Sequence, residues 1–386
     1  MVNRLIHPLK TNSFFLFGSR GTGKSYFLKD YFKADKTLWI DLLNPELEDE
    51  YQRKPETLKQ QIQAQKKKID WVIIDEVQKV PKLLNIVHQS IENTSLKFAL
   101  TGSSARKLKR GSANLLAGRA FVYHLFPLTH WELLKKFDLD AVLNWGALPK
   151  MLQFKSEEEK NTFLRSYALT YLKEEIVSEQ VIRQLEPFRR FLEVSAQLNG
   201  EILNYSNIAR DVGVSVKTVQ SYYQILEDTL LGYFLPAFHQ SVRKQQRQAP
   251  KFFFFDLGIK KALDLSLQSS IKPNTYAYGK AFEHFLILEI YRLNNYLQRD
   301  FQLYYLQTKD NAEIDLIIQK PGRKYALIEI KSTTSVDERD VRTLNRFRGD
   351  FSKAEVLCLS QDEKEKEIDG VLCLPWREGI KRVFEK

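Results

Sequence analysis

Residues 13–32, "SFFLFGSRGTGKSYFLKDYF", constrain this chain more than any other stretch. An apolar run, Phe14 to Phe17, leads into Gly18, Ser19, Arg20, Gly21, Thr22, Gly23, Lys24 and Ser25. A helix-like stretch with Tyr26, Phe27, Leu28 and Phe32 follows. Strand, G-x-x-x-x-G-K-S loop and helix, in that order, are what a phosphate-cradling loop requires. Its glycines let backbone N–H groups turn inward, and the helix N-terminus adds partial positive charge. Lys24 is expected to reach β- and γ-phosphates and Ser25 to ligate Mg²⁺. Such a loop sits at the carboxyl end of a strand in an open α/β sheet.

A second carboxylate is needed for the metal. "WVIIDE" (71–76) reads as a buried parallel strand ending in an acidic pair. Asp75 is assigned to Mg²⁺ through water and Glu76 to the attacking water, a pairing that favours hydrolysis over binding alone. A third strand, "KFALTGSS" (97–104), ends in Thr101, Ser103 and Ser104. It resembles the sensor 1 strand of AAA+ ATPases, which implies that Thr101 reads the γ-phosphate. AAA+ rings insert an arginine from one subunit into the neighbour's site. Arg106, Arg110 and Arg119 follow the sensor strand, and Arg119, after "NLLAG", is the first choice.

The middle of the chain is helical by period. "NTFLRSYALTYLKEEIVSEQVI" places Phe163, Leu164, Tyr167, Ala168, Tyr171, Leu172 and Ile176 on one face, as in the lid that follows an AAA+ core. From 202 onward, a short helix ends at Gly213 and Ser215 caps a second, the helix-turn-helix pattern. "LLGYFLPAF" is expected to supply a β-wing. Lys217, Thr218, Gln220 and Ser221 would face DNA from the start of the second helix. The basic stretch "SVRKQQRQAPK" (241–251), with Arg243, Lys244 and Arg247, would track a phosphate backbone. A purely structural winged helix is the competing reading.

Further on, "AEIDLIIQKPGRKYALIEIKS" (312–332) is two alternating strands around a Pro-Gly turn. With Gln319 paired to Tyr325 across a five-residue loop, Asp315 lies opposite Glu329 and Glu313 opposite Lys331. Alternation puts Glu329 and Lys331 on one face. Asp315, Glu329 and the Ile330 carbonyl would ligate Mg²⁺, with Mn²⁺ as a substitute. Lys331 would stabilise phosphoryl charge, and Glu283 would reach in from "YGKAFEHFLILEIYRL", with Lys280 near. The alternative is a surface ion pair of Glu329 with Lys331, worth under about 1 kcal/mol. Helix-E, strand-D, strand-E-x-K resembles the PD-(D/E)XK nucleases.

Nearly the whole chain resembles a prokaryotic family of AAA+ ATPases with a lid, a winged helix and a C-terminal PD-(D/E)XK-like domain. "GSRGTGKS", "IIDEVQKVPKLL", "LTGSSARKL", "LLAGRAFVYHLFPLT", "WGALPKML", "FFFFDLGIKKAL" and "EIDLII…LIEIKS" carry the likeness. The fold class is therefore α/β: an AAA+ P-loop core (1–130), a helical lid (131–195), a winged helix-turn-helix (196–245) and a PD-(D/E)XK-like α/β domain (246–386). The resemblance implies a Mg²⁺-dependent ATPase acting on DNA, with a metal-dependent nuclease site, assembled as a ring, most simply a hexamer. The alternative is a nucleotide-switched binding or regulatory module whose C-terminal domain cuts nothing. A net charge of +11 favours an anionic partner. No apolar run approaches the ~18 residues of a membrane helix. The N-terminus lacks a signal-peptide core, and Cys358 and Cys373 read as buried thiols, so a cytoplasmic location is expected.

Overall fold

The computed structural model describes residues 2–65, 68–104, 116, 118–171, 185–239, 248–351 and 353–385. Arg106, Arg110, Leu172, Ile176, Arg243, Lys244 and Arg247 lie outside the described residues. The chain forms two compact units. One comprises Met1–Leu128, Leu148–Gln153 and Gln224–Leu231; the other comprises Thr129–Ala147, Phe154–Tyr223 and Gly232–Lys386.

The first unit is built on five parallel strands: β1 (Ser13–Phe17), β2 (Thr37–Asp41), β3 (Trp71–Asp75), β4 (Lys97–Gly102) and β5 (Ala120–His124). They lie in the order β2-β3-β4-β1-β5. Strands β1 and β3 are buried at every position, as apolar runs in a parallel sheet should be. Helices α1 (Lys24–Tyr31), α2 (Pro45–Arg53), α3 (Glu56–Gln65) and α4 (Leu83–Asn93) connect the strands. Asn44 starts α2 by accepting from the Glu46 amide at 2.9 Å, with Pro45 behind it. Phe15, Phe17, Ile74, Leu84 and Val87 share one buried core. Because β3, β4 and β1 are neighbours, the three segments that follow them meet at one end of the sheet.

In the second unit, the helix Glu157–Ser166 runs into a wider π turn, Tyr167–Tyr171. Helix Tyr205–Val212 stops at Gly213, whose φ of 79° is the left-handed turn a glycine allows. The Ser215 hydroxyl then accepts from the Thr218 amide at 3.1 Å and opens the helix Val216–Asp228, which belongs to this unit as far as Tyr223. Strand β6 (Gly232–Leu235) pairs antiparallel with β7 (Lys251–Phe254). The return strand of this ribbon therefore lies beyond residue 246.

The C-terminal sheet has six strands in the order β12-β13-β11-β10-β9-β8. They are β8 (Gln302–Gln307), β9 (Glu313–Lys320), β10 (Lys324–Ile330), β11 (Glu355–Ser360), β12 (Lys366–Ile368) and β13 (Val371–Pro375). β9 and β10 form a hairpin with Gln319 opposite Tyr325 and Leu316 opposite Ile328. That is the expected register, and pairing continues one step further, to Lys320 and Lys324, leaving a three-residue turn. Ile317 and Leu327 on this hairpin join Val341, Leu344 and Phe347 in a buried core. Cys358 and Cys373 are buried, free thiols on adjacent strands.

The helix Tyr276–Tyr296 is tied to β7 by a buried histidine. The His284 Nε2 lies 2.7 Å from the Phe254 carbonyl and its Nδ1 lies 3.2 Å from Asn199 Nδ2. Asn199 Oδ1 in turn accepts from the Phe254 amide at 2.8 Å. Burial, helped by the charges of Lys260 and Arg292, pushes His284 down to about 3. The folded state therefore keeps it neutral while the unfolded chain takes up a proton below about 6.5. Stability is full above that value and declines as pH falls toward 3. Between pH 7 and pH 5 the loss from this group is about 2 kcal/mol. Urea unfolding at the two pH values should show this as a shrinking gap between wild type and His284→Gln. A gap independent of pH would mean that His284 is not held neutral.

Candidate nucleotide site and carboxylate centre

Gly21 and Gly23 have φ of 81° and 92°, so the loop after β1 turns twice through a region that side chains disfavour. No side chain caps α1, and the first N–H groups of a helix have no partner within it. The Lys24 ammonium is buried and donates to the Gly18 carbonyl at 2.7 Å. It lies 3.6 Å from Glu76. Thr22 is buried, with its hydroxyl donating to the Ser19 carbonyl at 2.8 Å. Ser19 donates to the Leu230 carbonyl at 2.6 Å. Arg20 is half-buried.

Asp75 is buried at the end of β3 and accepts from the Ser25 and Thr101 hydroxyls. Burial raises its carboxyl, and those two hydrogen bonds offset part of the rise. Glu76 has φ of 58°, a strained left-handed conformation for a non-glycine residue. Its amide donates to Thr101 Oγ1 at 2.9 Å. Burial alone would push the Glu76 carboxyl up, but the Lys24 charge and the Gln78 amide outweigh it, and it stays below the usual carboxylate range. The Thr101 hydroxyl is thus engaged with the acidic pair and positions it. Two partners escaped the sequence. Gln78 bridges Glu76 and Ser103, at 3.1 Å from the latter. Arg4 holds the loop by donating to the Thr22 and Phe126 carbonyls at 2.8 and 2.5 Å.

Arg119 stands just before β5, whose first residue pairs with Ser13, so it lies at the sheet end away from its own loop. Its guanidinium is ion-paired with Glu92. On the helix Val216–Asp228, Lys217, Gln220 and Ser221 are exposed. Thr218 is half-buried, its hydroxyl 2.8 Å from Ser215 Oγ.

The second cluster lies on the C-terminal sheet. The Asp315 Oδ2 accepts from the Ile330 amide at 2.7 Å across the hairpin. Glu329 pairs with Lys331 at 2.7 Å, but only 7% of its side chain is exposed. The surface-pair reading is therefore set aside. Its Oε2 is buried and has no hydrogen-bond partner. Burial pushes the Glu329 carboxyl up to about 7 despite the opposing Lys331 charge. Asp315 is pushed well above its ordinary range, first by burial and then by the Glu329 and Glu283 charges.

Three expectations need correction. Strand β10 ends at Ile330, so Glu313 does not pair with Lys331. It faces Gln307 across β8 and β9, with Gln307 Nε2 at 3.0 Å. Among the described residues, the carboxylate oxygens that converge within 4.8 Å are those of Glu283, Glu313 and Asp315, where Asp315, Glu329 and the Ile330 carbonyl were expected as the ligands. The reason is the helix Tyr276–Tyr296, which presses Glu283 against the hairpin. Lys251, read as the end of a phosphate-tracking loop, is instead buried. Its ammonium is 2.5 Å from Glu313 and 3.3 Å from Glu283. Lys280 reaches Glu283 at 3.5 Å and Glu201 at 3.0 Å.

The first unit is thus a P-loop nucleotide-binding α/β domain, and residues 10–134 match the AAA domain. Residues 136–270 and 278–378 match two domains of unknown function, DUF8612 and DUF4143. The chain is 26% identical over 267 residues to the uncharacterized protein Rv2008c of Mycobacterium tuberculosis, covering 68% of this chain and 59% of that protein. The chain thus spans less than two thirds of that relative. It is 22% identical over 380 residues to an uncharacterized protein of Haemophilus influenzae, covering 92% and 90%. A weak structural likeness exists to the Orc1 protein of Aeropyrum pernix in complex with DNA. Its TM-score is 0.28 at 12% identity, over 67% of this chain and 87% of that one. Among the described residues, no helix is long and apolar enough to cross a membrane.

Proposed function

We propose that the chain is an ATP-hydrolysing AAA protein that acts on DNA and carries a divalent-metal-dependent nuclease site on its C-terminal sheet. The ATPase part rests on the AAA match and on the meeting of Lys24, Ser25, Asp75 and Glu76. Lys24 would hold the β- and γ-phosphates, Ser25 and Asp75 the Mg²⁺, and Glu76 the attacking water.

The observation that carries the nuclease part is the convergence of the Glu283, Glu313 and Asp315 carboxylates, with Asp315 bonded to the Ile330 amide and the buried Glu329 paired with Lys331 on the next strand. These are hard oxygen donors, and the partnerless Glu329 Oε2 suits a cation. Asp315, Glu329, Glu283 and Glu313 would hold Mg²⁺ or Mn²⁺. When bound, the ion supplies Lewis acidity to a phosphodiester. Lys331, held against Glu329, would offset charge growing on the phosphate. Lys217, Gln220 and Ser221 form the proposed DNA-facing side of a winged helix. Arg119 would serve a neighbouring copy in a ring.

One observation favours a second reading, a binding module without cleavage. Lys251 already neutralises Glu283 and Glu313. Incubation of the full chain with circular plasmid, linear duplex and single strands, with Mg²⁺ or Mn²⁺ and with or without ATP, tests the choice. Metal-dependent nicking or degradation is expected, and intact substrate under every condition would leave the binding module.

A further inference from the structure

Resting on that reading of the carboxylate centre, we propose that the Lys251 ammonium is the resident cation of the cluster and that a divalent ion binds there only in competition with it. Lys251 opens β7, and the helix Tyr276–Tyr296 brings Glu283 to it. Only 2% of its side chain is exposed. Its Nζ sits 2.5 Å from Glu313 Oε1 and 3.3 Å from Glu283 Oε1, against two of the three carboxylates whose oxygens converge. The Tyr305 ring lies 5.5 Å from the same nitrogen.

A buried ammonium is costly unless it is paired, and buried carboxylates are costly unless a cation meets them. Here the two costs offset each other. Four carboxylates, Glu283, Glu313, Asp315 and Glu329, face three ammoniums, Lys251, Lys280 and Lys331. Lys280 is shared with Glu201 and Lys331 stands at the Glu329 side. Lys251 is the ammonium seated between Glu283 and Glu313. A dication entering that position would meet a like charge at hydrogen-bond distance from its own ligands. Entry then requires the Lys251 side chain to withdraw. The apparent metal affinity is reduced by the free energy of that withdrawal, and most of the cluster's negative charge is already met without metal.

Mn²⁺ binding to the full chain by isothermal titration, together with thermal unfolding with and without Mn²⁺, tests this. The variants are Lys251→Met, which keeps the apolar stem, and Lys251→Gln, which keeps hydrogen bonding to the carboxylates. Each should bind Mn²⁺ at least about tenfold more tightly than wild type. Each should unfold at lower temperature without metal and recover with it, because a ligand of the folded state stabilises by mass action. Wild type should gain little. The proposal is overturned if both variants bind Mn²⁺ no more tightly than wild type, or if neither binds it at all. The nuclease reading fails separately. Tight Mn²⁺ binding by the variants, with no cleavage by any form of the chain, would keep the inference and remove the catalysis.

Discussion

Replacement of Glu76 by Gln is expected to slow ATP hydrolysis by about a hundredfold or more while leaving ATP binding in place. The geometry gives the reason. Glu76 sits at φ 58° with its backbone N–H donating to the Thr101 hydroxyl, and its carboxylate faces Lys24 at 3.6 Å. Its depressed pKa keeps it ionised across neutral pH, which suits an anion that orients water. Engagement of Lys24 by phosphate would withdraw that counter-charge and raise the basicity of Glu76 at the moment of need. Glutamine keeps the shape and the Gln78 contact but loses the charge. Lys24→Ala should instead remove nucleotide binding. Arg119→Ala should lower hydrolysis and spare binding, provided a ring forms. Radiolabelled ATP turnover alongside fluorescent-nucleotide binding separates the three. Wild-type turnover by Glu76→Gln would transfer the water-orienting role to another residue.

At the carboxylate centre, Asp315→Asn and Lys331→Ala should each cut metal-dependent DNA cleavage by about a hundredfold or more, with ATP turnover unchanged. Asparagine retains an acceptor for the Ile330 amide, so the hairpin bond at 2.7 Å survives while the charge is lost. Loss of Lys331 exposes Glu329 to a site already crowded with negative charge, which raises its carboxyl further above about 7. Cleavage by wild type should accordingly rise with pH through the region of that value. Cleavage by Lys331→Ala at the wild-type rate would deny Lys331 its place beside the phosphate. A fall in ATP turnover of the same size would mean that the substitutions act through the fold.

The sequence by itself determined what is local. The loop from Gly18 to Ser25 is contiguous, so its glycines, lysine and serine can be read in order with their strand and helix. The hairpin from Glu313 to Ile330 is nearly as local: a Pro-Gly turn and a period of two fix which residues oppose each other. With that register assumed, Asp315 is expected against Glu329, and the observed pairing keeps the same register as far as Leu316 and Ile328. The acidic pair Asp75 and Glu76 was legible from an apolar run that ends in charge.

What only the tertiary structure decided joins residues far apart in sequence. Lys251 meets Glu313 across 62 positions, and Arg4 meets Phe126 across 122. Composition placed Lys251 in a basic loop because residues 243–248 are all Arg, Lys or Gln. Packing of β7 against the long helix turned it inward instead. Likewise, His284 carried no sequence signal, since one histidine on an apolar helix has no periodic partner; burial lowers its pKa against the opposing hydrogen bond to the Phe254 carbonyl. An ion pair or a desolvated ring depends on which surfaces close over it. Periodicity reports which face is apolar, but not which distant side chain will arrive there.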